Sequence, residues 1–140
     1  MFLDDLLKLS DGQFVTTDSA STNVIDTLAA GDSYEGAWLY TRVSVAYASA
    51  ELDAFVQFQL QDSDTEDFSG ANPATLAQSV AIAEATLLAG FEPFVVRIPL
   101  KTQRYIRMYH IVTGATLNAG NHDAFVTKDV DRLITAHEKR

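Results

Sequence analysis

The sequence contains no cysteine among its 140 residues. This absence excludes disulfide bonds, thiolate zinc sites and cysteine nucleophiles together. No apolar run approaches the roughly 18 residues that a helix needs to cross a bilayer. Disulfide-stapled domains, cysteine hydrolases and helical membrane proteins are therefore all excluded as classes.

Basic residues are also scarce, because 10 Lys and Arg stand against 19 Asp and Glu, which gives a net charge of −9. Such a charge opposes binding to the phosphates of nucleic acids, which requires clustered Lys and Arg. It equally opposes docking on anionic lipid. We therefore expect a protein partner, with no nucleic acid and no membrane.

Motifs for catalysis or cofactor binding are missing, since GxSxG, Walker A and GxGxxG patterns do not occur. The three histidines, His110, His122 and His137, lack the spacing of a zinc site. His110 falls inside a predicted strand, where packing or hydrogen bonding is its expected role. His122 precedes Asp123 on a predicted turn, where the two side chains can pair. We predict no catalytic residue, no metal and no cofactor, so the chain is not expected to be an enzyme.

What the sequence does contain is alternation of apolar and polar residues with a period of two, which is typical of strands with one buried face. The central stretch, Phe91 to Thr113, predicts two strands joined by a polar corner at 101–103. We expect this pair to form the core of a sheet. Pro99 should mark an edge or the end of its strand, because proline cannot donate to a ladder. Trp38 to Ala48 and Leu52 to Gln61 predict two further strands.

The same alternation predicts which side chains face the core. The inward set comprises Phe14, Leu39, Val43, Val45, Tyr47, Leu52, Ala54, Val56, Phe58, Leu60, Ile106, Met108 and Val112. Further elements are predicted from shorter patterns and from turn residues. They are strands at Gln13–Thr17, Thr75–Ala83 and Ala124–Thr127, a helical turn over Glu84–Leu88 closed by Gly90, and turns at 113–115 and 118–121.

Several short strands separated by turns predict an all-β fold, an antiparallel β-sandwich or jelly roll with short helical turns and extended terminal arms. A hydrophobic fraction of 47% supports one real core at this length. We predict an N-terminal arm over residues 1–12, a sandwich domain over 13–127 and a charged C-terminal tail over 128–140.

Two surface features allow a functional interpretation. The acidic loop Asp62 to Asp67 has alternating carboxylates that suit calcium, but it lacks the glycine and flanking helices of an EF-hand, so a solvated loop is the competing interpretation. Some aromatic residues fall on the more polar faces of their strands. They are Trp38, Tyr40, Phe55, Tyr105 and Tyr109. They mark either a protein-binding patch or strands whose face assignment is inverted.

Four stretches, taken in order, resemble a known family. They are Ser19–Asp26, Asn72–Leu76, Ala85–Phe91, and Arg104–Tyr109 leading to Val112–Gly114 and Ala119-Gly120. Together they resemble the capsid cement, or decoration, proteins of tailed bacteriophages, which have a jelly-roll fold. The leader with Ser10-Asp11 and Gln13 fits the same pattern. The similarity extends to about Phe125, whereas the tail from Thr127 departs from it.

The resemblance implies a structural protein on the outer surface of the virion capsid, where it bridges major capsid protein subunits. The predicted contacts with capsid protein, or with further copies of this chain, lie at apolar or aromatic positions. They are Phe2, Leu3, Leu6, Leu7, Trp38, Tyr40, Leu133 and Ile134. The alternative is a carbohydrate- or ligand-binding jelly roll on a virion, in which Trp38, Tyr40 and Tyr105 supply stacking faces.

Overall fold

A computed structural model describes residues 7–28, 37–70, 73–99 and 101–127. These residues form ten strands, and a 3-10 turn over Glu84–Thr86 is shorter than the predicted helical turn. The strands are β1 (Lys8–Phe14), β2 (Ser19–Ala20), β3 (Ile25–Asp26), β4 (Trp38–Ser49), β5 (Phe55–Ser63), β6 (Ala74–Gln78), β7 (Ile82–Ala83), β8 (Val95–Arg97), β9 (Tyr105–Thr113) and β10 (Leu117–Thr127).

The strands form two antiparallel sheets. The first sheet has the order β1-β10-β4-β8, and the second has β2 and β3 beside β9, then β5, then β6 and β7. Because β2 and β3 share one partner, and β6 and β7 share another, each pair is one interrupted strand. Eight strands in this order make a jelly roll, whose two Greek keys close over one core. The predicted all-β sandwich is therefore confirmed.

The core lies between the inward faces of the two sheets. Val56, Phe58 and Leu60 of β5 and Ile106 and Met108 of β9 have no exposed side-chain surface, so the predicted faces of these strands are confirmed. The inner face of β4 meets them from the opposite sheet. At about 25 cal/mol per Å² of buried apolar surface, this interdigitated layer is the main favourable term for folding.

The central stretch departs from the prediction in one respect, because its two strands do not pair with each other. β8 is an edge strand that pairs with β4 in the first sheet, whereas β9 pairs with β5 in the second. The polar corner therefore carries the chain from one sheet to the other. Pro99 follows the end of β8, as predicted. Both runs contribute buried residues to the same core from opposite sheets.

Three residues predicted to face the core are exposed. Val45 is 48% exposed because register shifts flank its pairing with Asn121 and turn its side chain outward. Leu52 is 79% exposed in a bend with φ +58°, before β5 begins. Phe14 is 49% exposed at the end of β1, where Leu9 and Val15 are buried instead.

Two boundaries also differ from the predictions. β1 begins at Lys8, so residues 8–12, predicted as part of an N-terminal arm, belong to the first sheet. The predicted turn at 118–121 is wrong, because β10 runs through it from Leu117. Three register shifts and the φ of +128° at Gly120 let the strand bulge there without ending.

We predict that Gly120→Ala lowers the free energy of unfolding by about 3 kcal/mol, through backbone strain and overpacking. A Cβ at Gly120 would lie 2.3 Å from Cδ1 of Tyr47 and 2.8 Å from its Cα. The control is Gly12→Ala, since Gly12 also has positive φ but nothing within 4 Å of a Cβ. That control should lose only about 1 kcal/mol in urea titrations, the cost of the strained backbone alone. Equal losses would contradict the proposed contact.

Candidate protein-binding face

The outer face of the second sheet is built from the residues of β5 and β9 that alternate with the core residues. Across the ladder Gln57 lies opposite Ile111, Gln59 opposite Tyr109, and Gln61 opposite Arg107. Ladder partners share a face, so these side chains form one continuous surface. We call this surface, together with Phe55, Tyr105 and Gln78, the glutamine face.

A row of hydrogen bonds runs across the glutamine face. Arg107 Nε donates to Gln61 Oε1 at 2.9 Å. Gln61 Nε2 donates to Gln59 Oε1 at 3.1 Å, and Gln59 Nε2 donates to Gln78 Oε1 at 3.1 Å. Because a guanidinium can only donate, it fixes the direction of the row and the orientation of each amide. The amides of this row therefore have fixed orientations in the protein on its own.

Arg107 is itself held by aromatic rings. Its guanidinium carbon lies 4.1 Å from the ring centroid of Phe68 and 5.2 Å from that of Tyr109. Cations in this position are attracted to the negative face of the ring. Burial lowers the pKa of Arg107 from its ordinary value, but a guanidinium in a protein keeps its proton.

The charge on this face is unlike that of the whole chain. The outward residues of β5 and β9 include no Lys, Asp or Glu, although the chain carries a net charge of −9. At the margin, Arg104 donates to both carboxylate oxygens of Asp26, at 2.8 and 2.9 Å. This hydrogen-bonded pairing lowers the pKa of Asp26. Tyrosine and arginine with few Lys, Asp and Glu are typical of protein interfaces.

The structure separates the five aromatic residues that the sequence singled out. Phe55 is 40% exposed, and Tyr105 and Tyr109 are half-buried, all on the outer face of the second sheet. Trp38 is half-buried on the outer face of the first sheet. Tyr40 packs there against Phe125 and donates to Glu92 at 2.7 Å, so its ring is buried on this outer face. Its predicted contact with capsid protein stays a prediction.

The remaining predicted contacts lie near the chain ends. Leu7 is half-buried and packs against the core, and its predicted contact with a partner stays a prediction. The other five lie outside the described residues, and their role stays a prediction. They are Phe2, Leu3, Leu6, Leu133 and Ile134.

The acidic loop uses two of its carboxylates within the chain. Asp62 is buried and accepts hydrogen bonds from the backbone N of Gln103 at 2.8 Å and from its Nε2 at 3.0 Å. Asp67 accepts from the backbone and hydroxyl of Ser69, which lowers the pKa of Asp67. Across the part of the chain that the structure describes, no three metal-ligating side chains form a cluster.

The two described histidines form a buried cluster that no sequence pattern indicated. His110 and His122 are fully buried, and their Nε2 atoms lie 3.0 Å apart. The Nδ1 of His110 lies 3.0 Å from the carbonyl of Ser19, and the Nδ1 of His122 lies 2.6 Å from the hydroxyl of Tyr47. The packed, hydrogen-bonded role predicted for His110 is confirmed.

The environment of this cluster keeps the rings neutral. Burial lowers the pKa of His110 to about 4 and the pKa of His122 well below its ordinary value. The predicted turn pairing of His122 with Asp123 is wrong, because His122 lies within β10 and points inward. Its alternation with Ala124 and Val126 was the signal that could have shown this.

We predict that Tyr47→Phe lowers the free energy of unfolding by about 2 kcal/mol, because it leaves the buried Nδ1 of His122 without a donor. The control is Tyr109→Phe, which removes a hydroxyl from the glutamine face and should change stability by less than about 0.5 kcal/mol. Urea titration of both variants measures the difference. A Tyr47→Phe protein as stable as the control would show that the hydrogen bond contributes nothing.

Comparison with known proteins places the chain in a family. No match was found among curated proteins. In the described ranges, no helix has the length and hydrophobicity needed to span a bilayer. The model of the family named Bbp16 matches residues 9–126, which covers nearly all of the sandwich. The chain therefore belongs to the Bbp16 family, which is associated with phages.

Proposed function

We propose that this protein is a capsid cement protein, which binds the outside of a phage head and stabilises contacts between major capsid protein subunits. Membership of a phage-associated family supports this role, and so does the resemblance of its motifs to decoration proteins. The observation that carries the proposal is the glutamine face. It is a broad sheet surface of aromatic, amide and guanidinium groups, without Lys, Asp or Glu on its central strands.

The order of this face suits the binding of a preformed shell. The row from Arg107 to Gln78 is fixed by hydrogen bonds before binding, so few side chains lose freedom on docking. A rigid sandwich also changes little in shape when it binds. Because little entropy is lost on docking, most of the favourable contact energy of a modest interface contributes to the net binding free energy.

The mechanism of stabilisation follows from mass action. A protein that binds the assembled shell, and not separate capsid subunits, lowers the free energy of the assembled state. Many copies on one closed lattice act together, so each contact can be modest. The net charge of −9 disfavours contact with packaged DNA and leaves capsid protein as the proposed partner.

The most direct test of the role is the protein content of the virion. Mass spectrometry of purified virions should find this chain in high copy relative to the major capsid protein. Heads stripped of it should lose integrity at a lower temperature and regain it when the purified chain is added. Virions that contain no copies would contradict the proposal.

We predict that Arg107→Ala weakens binding to stripped heads at least about 10-fold, because it removes an arginine anchor and frees the amide row. The control is Arg42→Ala, which removes the same charge from the outer face of the first sheet, opposite Asp123. Co-sedimentation with heads over a range of concentrations measures both affinities. Circular dichroism should show that both variants keep the sheet structure. Equal affinities for the two variants would exclude the glutamine face as the contact.

We predict that deletion of residues 1–6 weakens head binding and leaves the melting temperature unchanged. Phe2, Leu3 and Leu6 are the leader residues predicted to contact the shell, and the deletion leaves β1 whole. It must stop before Leu7, since Leu7 packs against the core and Leu9 is fully buried in it. Unchanged affinity would contradict a role for the leader.

A further inference from the structure

We propose that the pair of buried histidines is a proton-sensitive latch, which ties the two sheets together while both imidazoles are neutral and releases them in acid. This inference concerns the fold itself and does not depend on the proposed function. It rests on the geometry around His110 and His122.

Each histidine is bound to its own sheet through one nitrogen and to the opposite sheet through the other. His110 lies on β9 of the second sheet, and its Nδ1 meets the carbonyl of Ser19 on β2 of the same sheet. His122 lies on β10 of the first sheet, and its Nδ1 meets the hydroxyl of Tyr47 on β4. The contact between the two Nε2 atoms, at 3.0 Å, crosses the core and joins the sheets.

Only one assignment of protons satisfies every contact in the hydrogen-bond network that runs from Ser19 through His110 and His122 to Tyr47. The Ser19 carbonyl can only accept, so Nδ1 of His110 carries a proton and donates to it. Nε2 of a neutral His110 must then accept, and Nε2 of His122 donates across the core. Nδ1 of His122 is left as an acceptor, and Tyr47 donates its hydroxyl proton. Burial raises the pKa of Tyr47, which keeps that hydroxyl protonated.

Uptake of one proton by either ring disrupts this arrangement of donors and acceptors. A protonated His110 would direct an N–H at the N–H of His122 across 3.0 Å. A protonated His122 would donate from Nδ1 to the hydroxyl oxygen of Tyr47, and the hydroxyl proton of Tyr47 would lose the acceptor that it has among the described residues. A charged ring in this apolar centre also loses its hydration, which disfavours the charged form strongly.

Among the residues that the structure describes, no charged side chain contacts the two rings. The titratable groups that contact each ring there are the other histidine and, for His122, Tyr47. From β5, Phe58 places its ring against both imidazoles, with centroid distances of 5.6 and 5.7 Å, and from β2 the contact is a carbonyl. The nearest carboxylates along the chain face elsewhere, since Asp18 accepts from the backbone of Val112 and Asp123 accepts from that of Gly12.

The sign of the pH effect follows from where each state takes up protons. Unfolded, both histidines titrate near the ordinary value of about 6.5, whereas burial lowers the pKa of His110 to about 4. As the pH falls below about 6.5 the unfolded chain binds protons that the folded chain does not, so stability decreases. The contribution of His110 is complete above the upper pKa and is lost by about pH 4.

The first test reads the protons directly in the full chain. In ¹⁵N-labelled protein at pH 7.5, long-range ¹H–¹⁵N spectra should show His110 protonated on Nδ1 and His122 protonated on Nε2. Both should stay neutral at pH 5.5, where a free histidine is mostly charged. A ring that titrates near pH 6.5, or the opposite tautomer on His110, would overturn the latch.

The second test measures its effect on stability. The triple variant His110→Leu, His122→Leu, Tyr47→Phe replaces the polar chain with apolar groups and leaves no orphaned side-chain partner. Between pH 7.5 and 4.5 the melting temperature of the native chain should fall by about 10 °C more than that of the variant. A control, His137→Gln, removes the remaining histidine of the sequence and should keep the native pH dependence. If the triple variant folds and shows the native slope, or if the control abolishes it, the latch is refuted. If the triple variant does not fold, the spectra of the native chain still decide the question.

Discussion

Two imidazoles share one hydrogen bond at the centre of an apolar sandwich. Buried polar groups must keep their hydrogen-bond partners, and much of the local structure follows from this requirement. His122 lies on β10, which pairs with β4. Register shifts next to His122 turn its side chain toward the core. Tyr47 must lie against the backbone of β10 to reach His122, which leaves no room for a Cβ at Gly120. A buried polar group that lost its partner would cost more than an apolar replacement, so these adjustments occur together.

The same physical rule shapes the outer face of the second sheet. A group that can only donate or only accept gives direction to every hydrogen bond that follows it. In the core that group is the Ser19 carbonyl, and on the glutamine face it is the Arg107 guanidinium. The imidazoles and amides in these two rows could each donate or accept in either direction if they were isolated. The Ser19 carbonyl and the Arg107 guanidinium select one direction for each row. The first row then joins the two sheets, and the second gives an ordered surface.

The sequence was informative wherever one strand keeps a strict period of two. The faces of β5 and β9 followed from alternation alone, and the strand position of His110 favoured the packed role that it has. Bulges make this prediction fail, because one extra residue in a strand turns the following side chains to the opposite face of the sheet. This happens at Val45 and across 118–121. Pairing was harder still, because neighbours along the chain, such as β8 and β9, entered different sheets. The contact between His110 and His122 depends on that topology. The separation of the two residues in the sequence therefore does not predict it. On the candidate interface, alternation placed Tyr105 and Tyr109 outward but gave no sign of the amide row.

The permanent charge of Arg107 has a consequence for how the protein responds to low pH. A guanidinium in a protein stays protonated even in strong base, so the amide row that it orients has no titrating member. The imidazole pair inside the sandwich does titrate. The core therefore responds to acid through its imidazoles, whereas the hydrogen bonds of the amide row on the outer face do not. Acid strong enough to charge the imidazoles would destabilise the sandwich from its core, although no group in the amide row changes its own protonation.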